Sequence, residues 1–524
     1  MDLASSLQFV AVALVFYIVY GAVYRLYFSP IASFPGPKLA ALTFWYEFYY
    51  DVVRRGRYTW KIAELHKKYG PIVRINPREI HIIDPDFIDE LYVGASKRKT
   101  DLWSWTVPML GTPNSILATV DHDLHRRRRN AYATFFSKQS IRNYSSVIQA
   151  AVDKLCLRLR ESSKFGKPVN LLHTYSAMTG DIVTGYCFPE SYGLLDKPDY
   201  GAEIYELFAS TLANVHILKH FPLLLPLLLA LPEWLVQFLV PDFATTFRWQ
   251  REWVRQINAI KSGADDEKDR AGTPSIFRTL LDADLPPYDK SASRLMEDAQ
   301  TLLGGGSVTT SMALALATYY ILSDDHVLRT LTDELATAIP DPAHPLPLVE
   351  LEKLEYLTAT TFETLRISHG VSHRLQRVSP DQSLRYHDWI IPAGTPVSMT
   401  SVHIHNNVDI FPEPHLFKPE RWLPLETEGR RLQRYLIAFS RGSRQCLGMN
   451  LGSAELYLGL AGVFRTLGHS MRVVDTVKER DVDICRDIFT PAMREDTTGI
   501  KVVIEGVGFL QMLLNEVERS KLSK

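Results

Sequence analysis

The chain has 524 residues, 46% of them hydrophobic and 11% aromatic, enough for one large core or two to three ordinary ones. A formal net charge of -1 gives no overall charge that argues for nucleic acid. The four cysteines (Cys156, Cys187, Cys446 and Cys485) are scattered without a Cys-x-x-Cys pair, which disfavours a disulfide framework or zinc site and fits a reducing compartment.

Leu7 to Tyr24 is a charge-free apolar run of about eighteen residues, near the minimum for spanning a bilayer. Asp2 precedes it and Arg25 follows, with no basic lead and no small-residue cleavage site, so an uncleaved anchor is expected. The charge bias places the following chain on the cytosolic side. A buried core helix is the other reading. Phe34-Pro35-Gly36-Pro37 breaks any helix and reads as a stiff hinge. Trp60 to Tyr69 reads as helical, followed by two β-rich runs, Ile72 to Ile75 and Glu79 to Ile83, with Pro77-Arg78 as the turn between them. Asp121 to Arg129 carries four consecutive arginines; alone it is a solvated basic face, too short and single for a nucleic-acid patch. Residues 140 to 265 are mostly helical by apolar periodicity. Within them, Phe221 to Val240 is strongly apolar, but Pro222, Pro226 and Pro232 argue against a second spanning helix. Trp234, Phe238 and the neighbouring leucines either dip into the membrane surface or form a buried interhelical segment.

Met296 to Ser323 is a long helical pattern interrupted by Gly304-Gly305-Gly306-Ser307-Val308-Thr309-Thr310. No Gly-Lys-Ser/Thr follows, so a nucleotide loop is not supported. Each glycine costs about 1 kcal/mol inside a helix, so something must approach the backbone closely. Glu363 and Arg366 lie three apart on a helix face, a spacing repeated at Glu252/Arg255, Glu428/Arg431 and Glu516/Arg519 and usually surface decoration. Phe439 to Gly448 reads Phe-Ser-Arg-Gly-Ser-Arg-Gln-Cys-Leu-Gly and leads into an Ala/Leu/Gly-rich helix. A cysteine before a helix N-terminus meets unpaired N–H groups and the positive end of the helix dipole, both favouring thiolate. Ile488 to Pro491 reads as a turn and Gly499 to Val503 as a strand.

Phe-x-x-Gly-x-Arg-x-Cys-x-Gly resembles the haem-binding loop of the cytochrome P-450 family of haem-thiolate monooxygenases. Order reinforces it: Glu363-Thr-Leu-Arg366 resembles the family's Glu-x-x-Arg helix, and Phe417-Lys-Pro-Glu-Arg-Trp422 its Pro-Glu-Arg meander. The resemblance covers about residues 30 to 505. It implies a mainly α, single-domain fold with a minor β-region, behind one transmembrane helix. Residues 1–28 are then the anchor, 29–57 the proline-rich hinge and lead-in, and 58–524 the catalytic domain. Haem b is the implied cofactor, with Cys446 as the metal ligand and Phe439, Arg444, Gly448 and Gly306 against the group. Arg129, Arg377 and His125 would hold the propionates, with His125 where tryptophan is usual; His122 with Arg126 is the other register. Thr309 is the implied catalytic residue, guiding protonation at the iron, while Val308 stands where an acid is usual, leaving Ser307, Thr310 or water to substitute. Glu363, Arg366 and Arg421 would form a buried ion triad. Ser368 to Leu375 would line the pocket, with His369 and His373 as substrate contacts, and Phe489 would face it from a hairpin.

The implied activity is insertion of one oxygen atom from O2 into a lipophilic small molecule, such as a fungal terpenoid, polyketide or alkaloid. Electrons would come from NADPH–cytochrome P-450 reductase on the endoplasmic reticulum membrane. Arg430, Arg431, Arg434 and Arg441 would dock that acidic partner or form a solvated face. The rival readings are a haem-thiolate isomerase, dehydratase or peroxygenase needing no reductase, and a non-enzymatic membrane haem sensor or carrier.

Overall fold

An apolar helix, Leu3–Val23, is largely exposed and leads into a short π-helical turn, Tyr24–Phe28, which is tied to the body of the protein where Arg25 O accepts Arg74 Nη1 at 2.8 Å and the Arg25 guanidinium donates to Leu42 O. The computed structural model describes residues 3–163, 166–263 and 275–505. The last part of the expected 58–524 domain, residues 506–524, lies outside them. The span Ser5–Phe28 is long and apolar enough to cross a membrane. It ends at Ser29, in extended conformation before Pro30. The proline-rich hinge is docked rather than free. Pro35 O accepts the Arg74 N–H at 2.7 Å, and a Cβ on Gly36 would lie 2.3 Å from Arg74 O.

The described residues form eleven short strands: β1 Ile72–Arg74, β2 Ile80–Ile82, β3 Val169–Asn170, β4 Arg377–Val378, β5 Leu384–Tyr386, β6 Trp389–Ile391, β7 Pro396–Ser398, β8 Met471–Val474, β9 Arg486–Ile488, β10 Thr490–Ala492 and β11 Lys501–Ile504. The expected hairpin is β1–β2, antiparallel with Ile72 opposite Ile82. Asn76 closes its turn by accepting the N–H groups of Arg78 and Glu79. One sheet runs β1-β2-β7-β4, another β3-β11-β8; β5–β6 and β9–β10 are hairpins.

The rest is helical. The segment with three prolines breaks into Leu224–Ala230 and Glu233–Leu239, with Pro226 in a first turn and Pro232 just before a helix start, where a missing N–H costs nothing. The central helix, Ala292–Leu322, runs unbroken through its glycines and packs along Leu171–Cys187. It is crossed by the thiol helix, Met449–Leu467, which rests on Lys138–Ser163. These four helices supply much of the main apolar core.

Candidate active site

The loop before the thiol helix is shaped by one glycine and two backbone bonds. Gly442 has φ +74°, and a Cβ there would lie 2.4 Å from Val93 O and 2.5 Å from Tyr92 O. Ser443 N–H donates to Val93 O at 3.0 Å, and Cys446 N–H donates back to Phe439 O at 2.9 Å. The thiol of Cys446 is thereby set at the start of Met449–Leu467. Its side chain is accessible although protein surrounds it, so it opens onto an internal space. Burial pushes the thiol up, opposed by the Gly448 N–H and by Arg129. The lowering expected from sequence is therefore present in the Gly448 N–H but outweighed by burial.

The central helix also presents an opening. Val308, Thr310 and Met312 are buried, whereas Gly305 is exposed and Thr309 partly so. Thr309 Oγ1 donates to Gly305 O at 2.8 Å. A Cβ on Gly305 would meet nothing within 4 Å, and neither would one on Gly448. The glycine facing open space is thus Gly305, not the expected Gly306. Gly306 lies 3.0 Å from Val183, and Gly304 2.9 Å from Phe208, as measured from an added Cβ. Close approach by neighbouring helices explains two of the three glycines. The thiol helix meets the central helix at Thr310, whose Oγ1 would be 3.4 Å from a Cβ on Gly452.

A cationic rim borders this space. The helix His122–Ala133 turns His125 and Arg129 inward and leaves Arg126 exposed; His122 instead accepts the Thr100 N–H. The geometry thus favours the His125/Arg129 register. The His125 ring is pushed down to about 3 by burial and then by Arg444, Arg129 and Arg377. Neither the His125 ring nor the Arg129 guanidinium makes a hydrogen bond among the described residues. Arg377 donates to Ser440 Oγ at 3.3 Å and lies over the Tyr92 ring. Arg444 is spent on structure: it donates to the carbonyls of Thr100, Thr119 and Val120, tying the thiol loop to the chain before the His122–Ala133 helix. Three arginines around a neutral histidine, one of them unpaired, call for anionic groups. An accessible thiol, flat open faces at Gly305 and Gly448, and this rim together fit a planar, metal-bearing dianion. Haem is such a group.

The expected ion triad is formed. Glu363, wholly buried, accepts Arg366 Nε at 2.8 Å, Arg421 Nε at 3.1 Å and Trp422 Nε1 at 2.9 Å. Burial pushes its carboxyl up, but Arg366 and Arg421 pull it below the usual range. The look-alike pairs Glu252/Arg255 and Glu428/Arg431 are exposed, and Glu516/Arg519 lies outside the described residues.

Two candidate substrate contacts are engaged with other side chains, although His373 keeps Nε2 without a partner among the described residues. His369 faces His405, and His373 donates to Asp487 Oδ2 at 2.9 Å; both rings are buried. Phe489 is partly exposed, with φ +79°. The sequence reading missed two buried acids. Glu455, on the thiol helix, hydrogen-bonds Thr310 and is held well above the usual carboxylate range by burial. Asp487 collects donors from Ser372, His373 and Phe489. Neither carries a local motif.

A family model described as "Cytochrome P450" matches residues 35–487. The chain is 43% identical over 519 residues to a cytochrome P450 monooxygenase of Cochliobolus heterostrophus, covering 96% of this chain and 98% of that one. It is 40% identical to a tryptophan 6-hydroxylase of Fusarium equiseti, covering 92% and 94% of the two chains. It is 39% identical to an N-acetyltryptophan 6-hydroxylase of Emericella nidulans, covering 94% and 96%.

Proposed function

The chain belongs to the cytochrome P450 family, and on that premise we propose that it is an NADPH- and O2-dependent monooxygenase of a lipophilic secondary metabolite, anchored in the endoplasmic reticulum membrane with its catalytic part in the cytosol. The family's haem-thiolate cofactor supplies the oxygen-activating chemistry. The protein's own residues do the rest. Cys446 would bind the metal through its sulfur, toward which the Gly448 N–H is directed. Arg129, Arg377 and His125 would hold the anionic groups of the cofactor. Gly305 leaves room beside the central helix, and Thr309, one turn on, places a hydroxyl there to hold and pass a proton. Val308 offers no acid, so protons come by way of hydroxyls and water. The observation that carries this reading is the accessible Cys446 thiol inside a packed interior, bordered by the unpaired Arg129.

Substrate and partner are read more coarsely. Two relatives are named as hydroxylases of tryptophan or its N-acetyl derivative, so a tryptophan-derived alkaloid precursor leads the panel to test, before terpenoids and polyketides. The basic patch expected to meet a reductase is largely self-neutralised: Arg430 pairs with Glu426, Arg431 with Glu428, and Arg434 and Arg441 with Asp89. Arg126 and Arg127 are exposed and make no hydrogen bond or ion pair among the described residues, which makes them the better contacts for an acidic reductase.

The test is the reduced, carbon monoxide-bound Soret band, alongside Cys446→Ala, followed by turnover with and without NADPH and reductase. A strongly red-shifted band lost in the variant, with turnover that needs both, is the expected result. A histidine-type band in folded protein overturns the thiolate; reductase-independent turnover favours the isomerase or peroxygenase reading.

A further inference from the structure

Asp487 is fully buried in the β9–β10 hairpin, which it joins to three distant segments. Its Oδ1 accepts the Ser372 hydroxyl at 2.8 Å and the Phe489 N–H at 3.0 Å; its Oδ2 accepts His373 Nδ1 at 2.9 Å and the Thr59 hydroxyl at 3.4 Å. Its carbonyl accepts His216 Nε2 at 2.7 Å, and its N–H donates to Gly56 O at 2.8 Å. His216 belongs to the short helix Val215–His220, which precedes the apolar, proline-broken segment. On that same helix Lys219 donates to Glu47 and Asp51 at 2.7 Å each, and Arg374 reaches Glu47 at 2.6 Å. All four of these side chains are buried.

The outcome is visible at Phe489. Its carbonyl accepts the N–H groups of Ser372 and His373, each at 3.1 Å, while its own N–H is held by Asp487. These bonds enforce φ +79°, a conformation that bulky side chains avoid and that persists where surroundings over-determine it. The Phe489 ring stays partly exposed and stacks on His373 with centroids 6.4 Å apart. His373 lies four residues before Arg377 in sequence, at most roughly 14 Å along extended chain from the cationic rim. His216, His373 and Asp487 bring ligand-type atoms within 4.8 Å of one another, but both Asp487 oxygens are filled by donors, so the cluster is a hydrogen-bonded frame rather than a metal site.

We propose that Asp487 is a positioning residue for the substrate cavity: it locks Phe489 in the left-handed conformation and ties the place of that ring to the helix Val215–His220. The proposal rests on the monooxygenase reading for the meaning of the cavity, but its core is testable without it. Full-length holoprotein is compared with Asp487→Ala and Phe489→Gly. Hydrogen exchange is followed over residues 370–376, 485–492 and 214–221, and Soret shifts are titrated with imidazole and with the larger 1-phenylimidazole.

In Asp487→Ala, exchange should quicken by about tenfold in all three segments, as expected when shared buried bonds are lost. 1-Phenylimidazole affinity should change by about fivefold or more while imidazole affinity stays put, because only the larger probe meets the displaced ring. Phe489→Gly should reproduce the azole change with protection retained, since glycine accepts the left-handed backbone. Unchanged exchange in 214–221, or equal shifts for both azoles, overturns the proposal. If Asp487→Ala does not fold, Asp487→Asn is scored by the same criteria. A protein with no Soret band rejects the monooxygenase reading, and the exchange result alone then decides the lock.

Discussion

Glu455 illustrates how a single residue escapes a reading of the chain. On the thiol helix it resembles any surface acid, yet it is buried, keeps Oε1 without a partner among the described residues, and touches Thr310. A carboxyl held above its unfolded value of about 4.3 stabilises a fold fully below that pH and loses the contribution as pH rises. Glu455→Gln copies the protonated shape without that loss. Its unfolding midpoint should match the parent at or below about pH 4.3 and exceed it increasingly as the pH rises toward 8. Thermal scans at several pH values check this, and a gap that shrinks with pH would sink it. Cys446 and Glu363 were legible because their partners sit at fixed spacings or in fixed order. Asp487 was not, because its donors come from Thr59, His216 and Ser372, far away in sequence. Spacing rules do not reach across such gaps.

The central helix shows the same limit at the level of an element. Composition announces three costly glycines but not which neighbour each one admits. The structure separates them: Gly304 faces Phe208, Gly306 faces Val183 and Gly305 faces open space. Gly305→Ala should therefore stabilise the haem-free protein by up to about 1 kcal/mol through helix propensity, while its methyl would enter the space that would take the cofactor. Gly304→Ala and Gly306→Ala should lose on the order of 1 kcal/mol each, since Phe208 or Val183 must move. Denaturant midpoints for the three variants give the order directly, and equal midpoints would remove the distinction. The β1–β2 hairpin and the thiol helix were readable from period and turn chemistry. The docked hinge was not, because Gly36 gives no local sign that Arg74 lies across it.

Across the whole molecule, apolar surface gathers on one side. Trp45 and Phe48 touch the Phe221 ring, and Leu223, Trp234 and Phe238 beyond it are 71%, 70% and 81% exposed. Patches of this kind mark contact with a membrane or partner. Removal of residues 1–28 should leave appreciable binding to phospholipid vesicles, and adding Trp234→Asp and Phe238→Asp should lower it by about tenfold or more. Vesicle flotation measures both, and full release by truncation alone would discount the patch. The mainly helical architecture was legible from the resemblance; this surface was left open between membrane and interior, because periodicity does not say which side a leucine faces. The enclosure of Cys446 has a consequence for biogenesis. The helices beside Cys446 also form much of the main core, so a rigid prosthetic group seated there would be expected to enter or leave only when those helices part. Its insertion would then belong to the maturation of the polypeptide, and its later replacement would wait on the rare openings that also expose the chain to proteases.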